Sequence, residues 1–487
     1  MSEASVKRVV IGPFNRVEGD LEVSLDVAEG RVAGAQVTVP LYRGFEQILA
    51  ARPPLDALVI APRICGICSV SQSMAAAAAL RGLAGVLPAA NGVYAANIVH
   101  AAENMADHLS HFYLFFMPDF ARDQYRDRPW FETVAARFKA VTGSASAQML
   151  PARSRLLHVV GLLAGKWPHS LAFQPGGTTR SIDLGERMRL LAVLSDFRRF
   201  LEATVFGCSL ERMAALSTPA ELEDWSRNEG RGSDFALFLE VARDLDLAGL
   251  GHFSGPFVSV GAYDGFDGCL FPAGIASPDG TVEPFDPARI VEDVSHAWMK
   301  DGVSDPAQAM TEPDAFKDGA YSWAKAPRLG GRPAEVGALA RQMVAGHPLI
   351  RAIVAQTGGS SVRTRVVARV LELALVAMAA QGWAKAIRLR EPFCAEIVGI
   401  GDGLGIGLVE AARGSLGHWL QVSGGLVRRY QIIAPTTWNF SPRDAKGRPG
   451  PLEQALAGTV VGELGAKAAS VQHVVRSFDP CMVCTAH

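Results

Sequence analysis

Two Cys-x-x-Cys motifs near opposite ends of this 487-residue chain constrain its fold more than any other sequence feature. The first motif is CGIC at residues 65–68, and the second is CMVC at residues 481–484. Cysteines at this spacing can present both sulfurs to one ion from a tight turn or a first helical turn, and four thiolates form a soft metal site. If the motifs share a site, the fold must bring its two terminal segments together.

Spacing alone leaves three interpretations of these cysteines open. A structural tetrahedral zinc site is the usual use of four cysteines, although zinc ribbons keep their pairs only about 15 to 20 residues apart. A thioredoxin-like dithiol needs a single motif near a βαβ unit, which the sequence does not display. The third interpretation is a catalytic transition-metal centre, closed by thiolates from both ends of the chain.

Charge and cysteine content exclude several other classes of protein. The formal net charge is -2 and no basic block is present, so we expect no nucleic acid as a partner. Seven cysteines are too few and too odd in number for a secreted disulfide framework. Met1–Arg8 lacks the apolar core of a signal peptide, and Arg369 and Glu372 interrupt the apolar stretch Val366–Ala380. We therefore expect a cytoplasmic chain with no direct membrane span.

The order of apolar and turn-forming residues predicts a predominantly helical α+β fold with several structural units. Residues 1–62 read as an N-terminal portion of strands and short helices. Residues 63–390 read as a mainly helical core, with an irregular β-containing insertion around 250–285. Residues 391–487 turn Gly-rich and β-like, which predicts a C-terminal α+β portion that completes the metal site. The whole is expected to form a central helical bundle with smaller α+β portions built from both ends.

The residues around the cysteines resemble a known family. Residues 63–68 (RICGIC) and 479–487 (DPCMVCTAH) closely resemble the two metal-binding signatures of the nickel-iron hydrogenase large subunits. Further matches follow in the same order as in that family, from about residue 8 to residue 487: RVEG at 16–19, RGFE at 43–46, HFY at 111–113 followed by Asp119, EAARG at 410–414 and APTTWN at 434–439.

The resemblance implies a nickel-iron centre that cleaves dihydrogen heterolytically. In the family, four cysteines hold nickel, and the second cysteine of each pair bridges to an iron that carries carbon monoxide and cyanide. Carried over, Cys65 and Cys481 would be terminal nickel ligands, whereas Cys68 and Cys484 would be the bridges. Thiolate coordination keeps nickel electron-rich, and a terminal thiolate is a base beside the metal.

The same resemblance assigns residues to proton transfer and to the open metal position. Glu18 would take the proton from Cys481. Arg413 would lie over the open position and near one cyanide, where a guanidinium can donate several fixed hydrogen bonds. Asp119 and Asp479 would orient this arginine.

Two further groups of residues are implied to hold the iron ligands and an outer ion. Thr436, which follows Pro435 in its motif, would donate its hydroxyl to the other cyanide. Glu46 and the ring of His487 would bind a magnesium ion or a similar divalent ion in the outer shell, since such ions prefer hard ligands and retained waters.

The sequence also departs from the family pattern. Gln72 stands where most members have a histidine that donates to the bridging sulfur, here that of Cys68. Asp20 replaces another histidine and Ala412 a proline. Catalytic members also carry a tail beyond the final histidine, which the sequence, ending at His487, does not have. Gln72 and the missing tail resemble the dihydrogen-sensing subgroup, which signals to a histidine kinase.

These features predict a low-turnover hydrogenase large subunit that serves hydrogen sensing. The chain has too few spare cysteines for iron-sulfur clusters, so the expected partner is an iron-sulfur small subunit, with maturation factors that load the metals. One alternative is a high-turnover uptake hydrogenase. Another is a non-catalytic electron-transfer or interaction subunit with a structural four-cysteine zinc site.

Overall fold

The computed structural model describes residues 6–265, 268–461 and 468–487. Helices make up 45% of the structure and strands 19%. The α-helices are α1 (Phe45–Leu49), α2 (Ala57–Ile60), α3 (Ser69–Ala84), α4 (Ala90–Ser110), α5 (Phe131–Phe138), α6 (Ser144–Ala164), α7 (Leu184–Phe200), α8 (Leu210–Ala214), α9 (Pro219–Arg227), α10 (Asp234–Asp244), α11 (Ala338–Ala345), α12 (Pro348–Thr357), α13 (Val362–Ala386), α14 (Pro435–Asn439), α15 (Pro451–Leu456), α16 (Ala469–Ser477) and α17 (Met482–Thr485).

The strands form small, separate sheets around the helices. They are β1 (Lys7–Ile11), β2 (Glu22–Ala28), β3 (Arg31–Thr38), β4 (Phe173–Gln174), β5 (Gly177–Thr178), β6 (Phe257–Gly265), β7 (Gly268–Ala276), β8 (Val282–Glu283), β9 (Ile290–Asp293), β10 (Ala326–Leu329), β11 (Glu335–Val336), β12 (Gly403–Ala411), β13 (Gly414–Ser423) and β14 (Leu426–Ile433). Antiparallel three-stranded sheets, β1-β2-β3 and β12-β13-β14, lie at the two ends of the chain. The central region holds the sheet β11-β6-β7-β8 and two short ribbons, β9-β10 and β4-β5.

Two long helices, α4 and α13, pack against each other at the centre of the bundle. Helix α13 starts at a capping box formed by Ser361 and Thr364, and it packs against α4, α7, α8 and α11. Among the described helices, α13 alone is long and apolar enough to cross a membrane, yet 67% of its apolar window is buried inside the protein. This burial is that of a core helix.

The predicted α+β, mainly helical class is confirmed, and the domain boundaries stay a prediction. The helix expected over 91–117 ends at Ser110, followed by a π-helical turn (His111–Phe116) and a 3-10 turn (Met117–Ala121). Helix α6 was not predicted, because Pro151 and several small residues obscure its periodicity. The last helix, expected over 463–478, is seen from Ala469 to Ser477, and residues 462–467 lie outside the described part.

Glycines in β12 bring the C-terminal sheet onto the helix that follows the first cysteine motif. A Cβ atom at Gly407 would lie 1.9 Å from the carbonyl oxygen of Ala75, and one at Gly405 would lie 2.2 Å from that of Ala79. The glycine-rich run is therefore a close contact between α3 and β12, which only glycine permits. This packing joins the two ends of the chain around the cysteines.

Candidate metal centre

The four motif cysteines lie together at the meeting point of the two chain ends. Their sulfurs are all within 4.8 Å of one another, with 3.5 Å between Cys65 and Cys481 and 3.1 Å between Cys68 and Cys484. All four are buried, free thiols. Cys68 is the N-cap of α3 and Cys481 is the N-cap of α17, so each motif bends around the start of a helix. The predicted convergence of the chain ends is confirmed.

The electrostatics of the cluster fit a bound cation. Hydrogen bonds from the neighbouring sulfurs, that of Cys481 foremost, hold the pKa of Cys65 well below its usual range. The pKa values of Cys68 and Cys484 are raised, mainly because each shares a proton with Cys481. Four thiolates at these distances would repel one another strongly, so all four can lose their protons only beside a positive ion. A soft transition metal suits this donor set.

Glu18 lies beside the sulfur cluster at the edge of the buried region. Its peptide N–H donates to the carbonyl of Pro480 at 3.4 Å, and its carbonyl accepts from Met482 at 2.7 Å. The side chain is half-buried. Burial raises the pKa of Glu18, the charge of Cys65 raises it further, and Arg413 opposes both. The structure therefore brings Glu18 close to Cys65 and Arg413 and pairs its backbone with Cys481, whereas its predicted role in proton transfer stays a prediction.

Arg413 is buried in the turn between β12 and β13, where two carboxylates hold it. One guanidinium nitrogen lies 3.0 Å from Asp107 and another lies 3.1 Å from Asp479. Its Nε also donates to the carbonyl of Asp479 at 2.9 Å. Burial disfavours the charge, but the two aspartates outweigh it and raise the pKa of Arg413 above its usual range. The predicted contact with Asp479 is present.

The prediction that Asp119 orients Arg413 is wrong. Asp119 instead accepts from Arg476 at 2.7 Å, and its other partners are Arg16, Arg122 and His473. Burial would raise the pKa of Asp119, but these partners lower it. The π-helical and 3-10 turns after α4 direct the residue toward the N-terminal loop, so it anchors Arg16, two residues before Glu18.

Asp107 fills the place that Asp119 was predicted to take, and the sequence analysis missed it. It lies on α4 four residues before His111, on the same helix face. Nε2 of His111 donates to the carbonyl of Arg476 at 2.7 Å, so this face points to the C-terminal segment. Burial raises the pKa of Asp107, and the guanidinium of Arg413, 3.0 Å away, opposes this shift. The helical spacing from the HFY motif was the available signal.

Thr436 and Gln72 lie against the two cysteine motifs. Thr436, next to Pro435 at the start of α14, accepts a hydrogen bond from the peptide N–H of Cys481 at 3.2 Å, which leaves its hydroxyl proton free to donate. Gln72 lies one turn after Cys68 on α3, and its Oε1 accepts from Nε2 of His418 at 2.8 Å. The structure thus places both residues near the predicted metal ligands, while their roles stay predictions.

An outer cluster surrounds the last residue of the sequence. Nδ1 of His487 donates to the carbonyl of Cys484 at 2.9 Å, and its Nε2 lies 3.3 Å from Oε1 of Glu46. Lys325, which the sequence analysis missed, lies 3.2 Å from Glu46 and 3.1 Å from Glu292. Oε1 of Glu292 has no partner in the described part of the chain. Two buried carboxylates, one of them with an unpaired oxygen, and a nearby imidazole are groups that can bind a hard divalent ion.

A buried carboxylate also holds the helix that carries Cys68. Glu103 of α4 accepts from the peptide N–H groups of Val70 and Ser71, at 2.9 and 3.0 Å, and from the indole of Trp167 at 3.0 Å. A carboxylate at a helix N-terminus satisfies free peptide donors and complements the helix dipole. Glu103 therefore fixes α3 immediately after the first cysteine motif. It is distant in sequence from α3, so no local pattern indicates the contact.

Arg341 of α11 holds the chain just before Arg413. It forms a bidentate pair with Glu372, at 2.6 and 3.0 Å, and a second ion pair with Glu410 at 2.7 Å. It also donates to the carbonyls of Ala411 and Ala412, at 2.8 and 3.1 Å. This buried network sets the turn that carries the arginine of the site.

Replacing Arg341 by methionine should destabilise the protein by about 3–5 kcal/mol, because two carboxylates would remain buried without their partner. Equilibrium urea unfolding, followed by circular dichroism, measures this change. The matched control is R388M, since Arg388 is exposed and, among the described residues, its side chain pairs with Glu391; its effect should stay within about 0.5 kcal/mol. Equal unfolding midpoints for the two variants would contradict the assignment.

Comparison with known proteins agrees with this site. The family model described as nickel-dependent hydrogenase matches residues 43–122 and 144–487. The periplasmic [NiFeSe] hydrogenase large subunit of Desulfomicrobium baculatum is 29% identical, covering 99% of this chain and 95% of that protein. The hydrogenase-2 large chain of Escherichia coli K12 is 26% identical, covering 99% and 97%. An H2-activated structure of the Dm. baculatum [NiFeSe]-hydrogenase superposes with a TM-score of 0.85 at 27% identity, covering 99% and 100%.

The family match, together with the buried four-thiolate centre closed by both ends of the fold, assigns the chain to the metal-dependent oxidoreductases that act on dihydrogen. The chain belongs to the nickel-dependent hydrogenase family. The predicted family is therefore confirmed, and the named relatives are [NiFeSe] and hydrogenase-2 proteins, not members of the sensing subgroup. The zinc-site and non-catalytic alternatives are set aside, because the family is that of a nickel enzyme.

Proposed function

We propose that this chain is the large subunit of a nickel-iron hydrogenase and that it cleaves dihydrogen heterolytically at the four-cysteine centre. The observation that carries the proposal is the buried sulfur cluster with Glu18 and Arg413 beside it. Metal analysis of the purified protein, expressed with maturation factors, tests it: stoichiometric nickel together with infrared bands of iron-bound carbon monoxide and cyanide is expected. Zinc alone would overturn the proposal.

The chain's own residues supply the base, the proton path and a fixed positive charge. When bound, the nickel-iron centre would polarise dihydrogen and receive its electrons. Cys481 then offers a thiolate base, and Glu18, raised in pKa by burial, accepts the proton and passes it toward the surface. Arg413 keeps a guanidinium over the cluster because Asp107 and Asp479 hold it on two sides.

The remaining ligands follow the family pattern. Cys65 and Cys481 would be the terminal nickel ligands, and Cys68 and Cys484 would bridge to iron. Arg413 and Thr436 would donate to the iron-bound cyanides, since both have free donors on buried side chains. The outer cluster of Glu46 and His487 would hold magnesium or a similar ion, which is supported by the 3.3 Å between Nε2 of His487 and Oε1 of Glu46 in a buried site.

We further propose an iron-sulfur small subunit as the partner. In the described part of the chain, the four-cysteine group is the one cluster of potential soft metal ligands, so an electron leaving it needs a carrier on another protein. The matched relatives carry the names large subunit and large chain, which supports the same division of labour. We also propose a cytoplasmic location, which is supported by the small, odd number of cysteines.

The proposed role is hydrogen sensing through a histidine kinase, supported by Gln72 next to the predicted bridging sulfur. High-turnover uptake is the second candidate, favoured by relatives such as the uptake hydrogenase large subunit of Bradyrhizobium diazoefficiens, which is 26% identical over 99% of this chain. The two roles differ in rate and in partner, so kinetics can separate them.

Replacing Gln72 by histidine should raise hydrogen oxidation by at least about tenfold, because contacts behind a metal ligand change activity by about 10–100-fold. The rate of the wild-type heterodimer should be low, and hydrogen should alter kinase autophosphorylation in its presence. Methylene-blue reduction and a phosphorylation assay measure these effects. A wild type that already turns over rapidly, with no response of the kinase, would refute the sensing role.

A further inference from the structure

The amide of Gln72 has its two ends in different surroundings. Its Oε1 accepts from Nε2 of His418 at 2.8 Å, whereas its Nε2 has no partner among the described residues. The side chain is fully buried, so an unused donor is costly unless a ligand or an anion accepts from it. Gln72 lies one helical turn after Cys68, on the same side of α3. The free donor thus lies on the helix that follows the first cysteine motif and is available to a ligand bound there.

The direction of the hydrogen bonds through His418 follows from Tyr430. Nδ1 of His418 lies 2.8 Å from the Tyr430 hydroxyl, which has no other partner in the described chain. If Nδ1 carried the proton, the hydroxyl hydrogen of Tyr430 would be buried without an acceptor, which is unfavourable. The hydroxyl therefore donates to Nδ1, and Nε2 of His418 carries the proton that is donated to Gln72.

Burial keeps this arrangement in one protonation state. It lowers the pKa of His418 to about 3, and the nearby His487 lowers it further while Glu46 opposes the shift. Burial also raises the pKa of Tyr430 above its usual range. A neutral imidazole and a protonated phenol form one fixed chain of donors, from Tyr430 through His418 to Gln72.

Resting on the proposed function, we propose that His418 and Tyr430 are positioning residues that hold the Gln72 amide so that its N–H donors, and not its carbonyl oxygen, are the end available to the metal centre at Cys68. The reverse orientation would turn Oε1, an acceptor, toward a sulfur anion and would also break the bond from His418. A donor to a thiolate draws charge from the sulfur, so the orientation tunes the electron density that reaches the metals.

Infrared spectroscopy of the metal-loaded heterodimer tests the proposal without reliance on turnover. H418F removes the donor to Oε1 of Gln72, and Y430F removes the hydroxyl that fixes the imidazole. Both variants should shift the carbon monoxide and cyanide bands to lower frequency relative to wild type, because a thiolate without its donor is richer in charge. H418Q should restore bands close to wild type, since an amide can accept from Tyr430 and donate to Gln72.

Controls separate positioning from folding and from the proposed function itself. H296Q replaces a histidine whose Nδ1 contacts the carbonyl of Arg443, away from Gln72, and should leave the bands unchanged. If H418F fails to load nickel, the bands of Y430F test the positioning role instead. This variant removes one oxygen and keeps the aromatic ring, so it disturbs the fold less. Wild-type bands in loaded Y430F, or bands equally shifted in H296Q, would overturn the positioning role. Missing bands in wild type would instead overturn the hydrogenase proposal.

Discussion

Replacing Cys481 by serine should abolish stoichiometric nickel binding and hydrogen oxidation together. The Cys481 sulfur is fully buried and lies 3.5 Å from that of Cys65 and 3.1 Å from that of Cys484, so it completes the donor set. A serine hydroxyl is harder and remains protonated, which makes it a poor substitute for a thiolate. Metal analysis by mass spectrometry of the heterodimer, expressed with maturation factors, measures the loss.

The matched control is C394S, because Cys394 is a free, part-buried thiol outside the cluster. This variant should retain wild-type nickel content and activity. Nickel at wild-type stoichiometry in C481S would show that the centre does not use this ligand. Circular dichroism spectra of C481S and wild type show whether the variant has lost its fold as well as its metal. This comparison is needed because metal binding contributes to the stability of a folded site.

Replacing Glu18 by glutamine should lower hydrogen oxidation by about 10²–10⁴-fold while nickel content stays unchanged. Glutamine has the same shape and keeps the backbone pairing with Cys481, but it cannot accept a proton. Exchange between deuterium gas and water should fall in parallel, because it depends on the same proton transfer. Gas chromatography or mass spectrometry of the evolved isotopologues provides the readout.

Glu22 offers a control of the same chemistry on an exposed position of β2. E22Q should leave oxidation, exchange and nickel content at their wild-type values. Normal exchange in fully loaded E18Q would contradict the proton path, whereas reduced nickel in E18Q would point to a ligand or structural role.

Much of the fold was predictable because local patterns carry it. The Gly-rich segments after residue 400 form β12–β14 as expected, and the helices α3, α7, α10 and α13 begin within a few residues of their predicted starts. The mainly helical α+β class follows from these elements. Helix α6 escaped prediction, since its apolar residues pack by tertiary contact and not by a clear repeat.

The candidate site, like the fold, was predictable only in part. Glu18, Arg413 and Glu46 lie near the four cysteines. They could be recognised from the sequence because each belongs to a short motif. Asp107 was missed and Asp119 was misassigned, since the π-helical turn at His111–Phe116 changes which residues after α4 face the centre. A change of helical pitch is not visible in the pattern of apolar residues.

By itself, the sequence determined the metal chemistry: two cysteine motifs at opposite ends require the ends to meet, and their neighbours name the family. Only the tertiary structure decided which buried groups surround that centre. Glu103, Lys325 and the His418–Tyr430 pair reach it from elements distant in sequence. The physical reason is that a buried polar group is paired by whatever packs against it, and that partner depends on the packing of whole helices and sheets.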